Sequence, residues 1–239
     1  MPGIPATYIR RADASSAVRI GDGFALALSR DGRSALSLFA ESPPSLVLLP
    51  TGPGEARTLP RGPIERYDPN GTTWLPDNRR ILFIGREKGH DLRVYVQDMD
   101  GGQPRPITPE KRFAYTPPGL AVSPDGMSVI FTTGNEDKFF AYPINGGEPR
   151  VIAGLKRGDW PIVWSADGRS LFVYQVERVP AQVYLINLRT GARGLWKTLM
   201  PPDPVGVDTV DPVLTPDGQF YFYNYGRGLS ELYTVDGVH

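Results

Sequence analysis

Apolar and polar positions alternate along this chain in short runs, and the runs recur. Five times an apolar segment ends in a Ser/Pro/Asp/Gly-type turn and restarts as an apolar strand: Leu28-Ser29-Arg30-Asp31-Gly32, Leu75-Pro76-Asp77-Asn78, Val122-Ser123-Pro124-Asp125-Gly126, Trp164-Ser165-Ala166-Asp167-Gly168 and Leu214-Thr215-Pro216-Asp217-Gly218. Between successive turn aspartates the steps are 46, 48, 42 and 50 residues, the period of a four-stranded blade. Each turn is followed by a strand rich in β-branched and aromatic residues, such as Val129-Ile130-Phe131-Thr132 and Leu171-Phe172-Val173-Tyr174. These are second strands. The runs before the turns, residues 24–29 and 161–165 among them, are first strands lining an axis, joined by turns in which Asp caps the backbone and Gly supplies positive φ.

A third strand recurs at 45–50, 92–98, 138–144, 182–188 and 231–235, and a fourth at 55–59, 103–108, 148–152 and 194–198. Hairpin signals separate the two in the middle repeats: Asp100-Gly101-Gly102, Asn145-Gly146-Gly147 and Arg189-Thr190-Gly191. No window holds a helical period, so the class is all-β. The expected architecture is a β-propeller of four-stranded antiparallel blades, five in number, with residues 1–239 as a single domain. The blades fall at about 23–60, 67–109, 118–154, 160–199 and 210–238, with 8–21 closing the ring. Residues 8–13 read as a third strand with its hairpin and 17–21 as a fourth strand; in the simplest closure the strand at 17–20 lies beside 231–235, which leaves the strand at Tyr8 surplus. Exposed sheet edges pair with something, so a partial ring cut from a longer array and an edge-paired dimer are the alternatives to a closed monomer.

The chain carries 26 basic and 26 acidic residues with no run of like charge, which gives no support for a non-specific grip on nucleic acid. There is no cysteine, which removes disulfides, thiolate zinc sites and a Cys nucleophile. Residues 1–11 hold no apolar segment of signal-peptide length, and nowhere do about eighteen apolar residues follow one another. The expectation is a chain soluble as written with no membrane insertion: periplasmic or extracellular if it belongs to a longer membrane-anchored protein, otherwise cytoplasmic.

The repeated turn, together with the Asp/Asn-Gly-Gly-x-Pro hairpin, resembles the TolB-like family of bacterial β-propellers, relatives of the WD-repeat proteins, over nearly the whole chain. A narrower resemblance lies in residues 164–171, in Leu195-Trp196-Lys197-Thr198-Leu199-Met200-Pro201-Pro202-Asp203-Pro204-Val205-Gly206-Val207 and in Leu229-Ser230-Glu231-Leu232-Tyr233. These stretches look like the propeller found C-terminal to bacterial eukaryotic-type Ser/Thr protein kinases, which implies a sensor or scaffold module. The chain has no Val-Ala-Ile-Lys, His-Arg-Asp or Asp-Phe-Gly and no glycine-rich phosphate loop, so kinase activity is not carried over. Arg30 and Ala166 stand where the pattern has Pro, and Asn78 where it has Gly.

Chemistry-bearing residues are few. The two histidines, His90 and His239, allow no multi-histidine metal site, and His90 in a blade loop is read as solvated rather than as part of a Ser-His-Asp triad. The recurring turn aspartates are backbone acceptors, since a catalytic carboxylate is normally unique. A second set, Asp22, Asp68, Asp159 and either Asp208 or Asp211, stands several residues before the turns, where each caps its own loop or a ring brings the set to one mouth of the central channel. There it would attract cations or basic peptide groups. Trp160 and Tyr115, beside Asp159 and Arg112, complete the expected ligand-binding face, while Trp74 and Trp164 are read as packing between blades.

No catalytic residue, metal ligand or cofactor is expected. The expected function is a non-catalytic binding module for a protein, a peptide or a small ligand. The alternative is an enzyme or enzyme accessory, either a propeller gating a serine peptidase or a channel-mouth lyase or lactonase.

Overall fold

The computed structural model describes residues 5–11, 16–110, 120–132, 138–176 and 178–229, with the side chain of residue 70 excepted. Twenty strands run in chain order: β1 (Ala6–Ile9), β2 (Val18–Asp22), β3 (Phe24–Leu28), β4 (Ser34–Phe39), β5 (Ser45–Pro50), β6 (Arg57–Thr58), β7 (Ile64–Trp74), β8 (Arg80–Glu87), β9 (Arg93–Asp98), β10 (Arg105–Pro106), β11 (Leu120–Val122), β12 (Ser128–Phe131), β13 (Phe139–Pro143), β14 (Arg150–Ile152), β15 (Asp159–Trp164), β16 (Ser170–Gln175), β17 (Ala181–Asn187), β18 (Arg193–Leu199), β19 (Val207–Leu214) and β20 (Tyr221–Arg227). Strands β3–β6, β7–β10, β11–β14 and β15–β18 form four antiparallel four-stranded sheets, each in simple meander order. These are the first to fourth blades of an all-β propeller. The described residues contain no helix.

Five blades were expected, and the described residues hold four complete ones, flanked by two-stranded sheets β1–β2 and β19–β20. At the N-terminal end the strand at 17–20 takes β1 as a ladder partner, with Ile9 opposite Val18 and Tyr8 opposite Arg19. The strand at Tyr8 is therefore not surplus. It fills one hydrogen-bonding edge of β2, while Ile20 packs against Ala35, Val47 and Leu49 of the first blade. The expected pairing of 17–20 with 231–235 falls outside the described residues.

The turns form as their chemistry dictates. In the first blade Ser29 Oγ donates to Asp31 Oδ1 at 2.7 Å, the same carboxylate oxygen accepts the Arg33 amide at 3.0 Å, and Ser29 Oγ accepts from the Ser34 amide. Ser123/Asp125, Ser165/Asp167 and Thr215/Asp217 repeat the pattern. The hydroxyl bond first, and the backbone amide second, hold Asp31, Asp125, Asp167 and Asp217 below the ordinary carboxylate range. The glycine closing each of these turns has φ of 70°, 70°, 70° and 68°, and Asn78, at 54°, takes the same left-handed conformation, which Asn tolerates better than other side-chain-bearing residues. The second turn lacks the hydroxyl at Leu75. Asp77 compensates by accepting the Arg79 and Arg80 amides and the Arg80 guanidinium at 2.7 Å.

Successive blades interlock through buried side chains. Leu36, Leu38 and Leu46 of the first blade pack on Trp74, Ile81 and Phe83 of the second; Leu82, Ile84 and Val96 then pack on Val129, Phe131 and Tyr142 of the third. Burying such a side chain contributes about 1.5–3 kcal/mol, so each interface is a core of its own. Trp164 donates its indole N–H to Ala121 O at 3.0 Å across an interface, and Trp74 points in the same way at Ala27 O at 3.5 Å.

The two turns without proline have a reason in this packing. The Arg30 amide donates to Asn78 Oδ1 and the Ala166 amide to Pro216 O, both at 2.9 Å and both in the next blade's turn. Proline has no amide to give. Where it stands instead, Pro76 and Pro124 lie beside Gly126 and Gly168 of the following turn, close enough to contact a Cβ built there.

Candidate functional site

One end of the inner strands carries an open cleft of about 330 Å³ between the first and second blades, lined by Phe24, Leu38, Pro44, Tyr67 and Pro69, with Glu41 and Arg66 among its charged residues. Two local features build it. Gly23, at φ 90°, has room for no side chain, since a Cβ would lie 2.5 Å from Ser37 Oγ. Ser37 Oγ in turn donates to Asp22 O at 2.7 Å and contacts Thr7 Oγ1 at 3.1 Å, which ties β1 to the first blade and presents Phe24 at the cleft.

On the facing side β7 carries a wide bulge. Tyr67 pairs with Gly85 and Thr72 with Phe83, so the segment from Asp68 to Gly71 loops out against Ile84 alone. The Tyr67 ring, buried against Phe83 with centroids 5.1 Å apart, forms the cleft floor, and burial pushes its hydroxyl up to about 12. It stays protonated across the physiological range. The cleft therefore offers an apolar, aromatic surface with a cation and a carboxylate beside it, a lining suited to a side chain flanked by polar groups.

The residues expected at the channel mouth have separate surroundings. Asp22 pairs with Arg19. Asp68 is buried in the β7 bulge. Asp159 is fully buried, gripped by Arg193 through two bonds of 2.5 and 3.0 Å and by the Lys156 amide at 2.7 Å. Arg193 also lies 3.7 Å over the Tyr184 ring. This clamp fixes the segment entering the fourth blade, which crosses the β17–β18 hairpin so closely that a Cβ on Gly154 would sit 2.5 Å from Gly191 O.

Trp160 is buried with its indole N–H lacking an acceptor among the described residues. Asp211 accepts from the Tyr174 hydroxyl at 3.2 Å, and burial first, with the Asp211 charge second, raises that hydroxyl's pKa. Asp208 is exposed on β19 beside Gly226. Trp160, Tyr174 and Asp211 thus meet through register and hydrogen bonding, with Trp160 opposite Tyr174. Asp22 and Asp68 stand near the cleft, two residues from Phe24 and one from Tyr67. Arg112 and Tyr115 lie outside the described residues.

His90 bonds Glu110 at 2.7 Å, and Glu110 is held low by that bond and then by the Asp91 amide. Among the described residues no three His, Cys, Asp or Glu side chains gather in a way that could hold a metal ion.

Known proteins bear on the fold. TolB from Acinetobacter baumannii superposes with a TM-score of 0.63 at 16% identity, covering 93% of this chain and 60% of that one. A TolB from Agrobacterium tumefaciens gives 0.62 at 17%, covering 89% and 74%. The fold is TolB-like. Kuenenia stuttgartiensis hydrazine synthase follows at 0.53 and 16%, over 91% of this chain and 67% of that one.

A curated Bacillus subtilis protein named "Uncharacterized peptidase YuxL" is 25% identical over 159 residues. The match covers 63% of this chain but only 21% of that protein's length. No family model matches the chain. No helix among the described residues is long and apolar enough to cross a membrane.

Proposed function

We propose that this chain is a non-catalytic binding module, a sensor or scaffold of TolB-like architecture, that takes an apolar or aromatic peptide side chain into the cleft between its first two blades. The observation that carries this is the cleft itself: exposed Phe24 faces buried Tyr67, with Arg66 and Glu41 to meet the flanking polar groups. Asp22 and Asp68, expected at a channel mouth, border the same place and add negative charge for a basic neighbour. A sensor role is also what the resemblance of residues 195–207 to kinase-linked propellers implies.

Panning a random heptapeptide display library on the folded chain tests the reading. Enriched peptides are expected to bind at least tenfold more weakly to Phe24→Ser and to Arg66→Glu, both at exposed positions. No enrichment, or peptides indifferent to both substitutions, refutes it.

The Bacillus similarity favours a second reading, a propeller that controls access to a peptidase. The 239 residues contain no Gly-x-Ser-x-Gly elbow, so the catalytic unit would be separate. A genomic reading frame joined to such an elbow supports this second reading, and one joined to a kinase and membrane segment supports the first.

A further inference from the structure

The cleft between the first two blades joins an apolar floor to two opposite charges, and both charges are unpaired. Phe24 lies opposite Leu38 on the β3–β4 ladder, so the two side chains share one face. Leu38 and Tyr67 are 5 and 4% exposed and close the floor, whereas Phe24, at 48%, forms the open wall. Glu41, in the connection from β4 to β5, and Arg66, on β7, line the same cleft and are exposed. Among the described residues neither makes a hydrogen bond or an ion pair, with the other or with any neighbour.

The two sides of the cleft differ in sign. On the second-blade side the Arg66 guanidinium is joined by Tyr67, whose hydroxyl is kept protonated by burial and feels the charge of Arg61. Arg61 is itself anchored, donating from Nη1 to Ile64 O at 3.1 Å. On the first-blade side stands the Glu41 carboxylate. Of the other acids near the cleft, Asp22 is paired with Arg19, and Asp68 is buried and partnered within the β7 bulge. An anion therefore meets donors on one side, a cation meets an acceptor on the other, and an apolar group fits between them. The volume, about 330 Å³, stands at the small end of the ~300–1,000 Å³ usual for ligand pockets, which suits a molecule of amino-acid size better than a length of chain.

Taking this cleft as the site of side-chain binding, as proposed above, we infer that its best ligand is a free α-amino acid with an apolar or aromatic side chain. The α-carboxylate lies at Arg66, the α-ammonium at Glu41, and the side chain against Phe24, Leu38 and Tyr67. Each charge of the ligand meets a charge that the cleft leaves without a partner. A peptide segment offers the same side chain but has neither charge, and charge-assisted hydrogen bonds are roughly twice as strong as neutral ones. The zwitterion is therefore preferred.

Isothermal titration of the full chain with L-phenylalanine, phenylalaninamide, N-acetylphenylalanine and L-alanine separates the three contacts, because each of the last three compounds lacks one of them. One-to-one saturable binding of phenylalanine is expected, with the other three at least tenfold weaker. Arg66→Gln should abolish the preference for phenylalanine over its amide, and Glu41→Gln the preference over the N-acetyl compound. Each variant should keep the other preference, which a variant that fails to fold would not do. Phenylalanine that does not saturate, analogues that bind equally, or preferences that survive both substitutions overturn the inference. Display peptides that depend on Phe24 while phenylalanine does not bind leave the cleft reading standing and overturn this one; silence of both refutes both.

Discussion

Replacing Arg193 by Met tests the clamp on Asp159 most directly. Asp159 is fully buried, and its three described hydrogen bonds come from Arg193 twice and from the Lys156 amide once. Met keeps most of the side-chain volume and removes both guanidinium bonds, leaving a carboxylate in the interior with one amide donor. Breaking a buried pair from one side costs about 3–5 kcal/mol, because the uncompensated charge keeps its desolvation penalty. For a chain of this size that corresponds to a fall in melting temperature of roughly 6–20 °C.

Urea unfolding followed by tryptophan fluorescence and circular dichroism measures the loss. The double variant Arg193→Met/Asp159→Asn removes both charges and should recover at least about 2 kcal/mol relative to Arg193→Met alone. A single variant within about 1 kcal/mol of the parent, or a double variant no more stable than the single one, would refute the claim that this pair is a buried structural clamp.

Three further outcomes follow from the geometry. Trp164→Phe keeps the ring at the interface but strands the buried Ala121 carbonyl, so urea unfolding should show a loss of about 1–3 kcal/mol, larger than that of Trp74→Phe, whose indole stands at 3.5 Å. Gly154→Ala forces a Cβ onto the Gly191 carbonyl at a φ of 84°, and its cost should exceed about 2 kcal/mol in the same assay, whereas Gly194→Ala, with open space around it, should stay within about 1 kcal/mol. The turn aspartates are held below their ordinary value of 3.8, so their stabilisation is complete above that value and is lost as pH falls through the lowered one. A circular-dichroism titration should be flat from about pH 7 to 5 and fall below about pH 4, with Ser123→Ala and Ser165→Ala shifting the acid transition upward.

The blades were legible because their punctuation is local chemistry. A hydroxyl, a carboxylate and a left-handed residue within five positions make the same turn wherever they occur, so the period of the aspartates located every inner hairpin of the described blades. What the sequence hid depends on partners distant along the chain. The β7 bulge is set by Gly71 lying against Ile84, and only the triplet Pro69-Asn70-Gly71 hints at it. Residues 8–13 and 17–21 read as a third strand with its hairpin and a fourth strand, and the ladder pairs them; that they form a two-stranded sheet of their own shows only in the structure. The cleft was missed for the same reason: Phe24 and Tyr67 belong to different blades, and neither stands out in a chain one-tenth aromatic.

Departures from a repeat carry more information than the repeat, but of two kinds that sequence alone does not separate. Arg30, Ala166 and Asn78 depart from the turn pattern, and the structure uses all three to join or shape blades: two amides cross to the next turn, and Asn78 both accepts one of them and supplies the left-handed φ. Phe222 and Leu28 do not depart at all. Each is an ordinary core residue by type, and only its exposure marks it. In a protein whose units are built to bury one another's flanks, conserving the apolar residue at an uncovered flank has a cost in solubility and aggregation. Among the described residues no blade lies on Leu28 or Phe222, so exposure rather than residue type sets these two positions apart from their counterparts in the repeat.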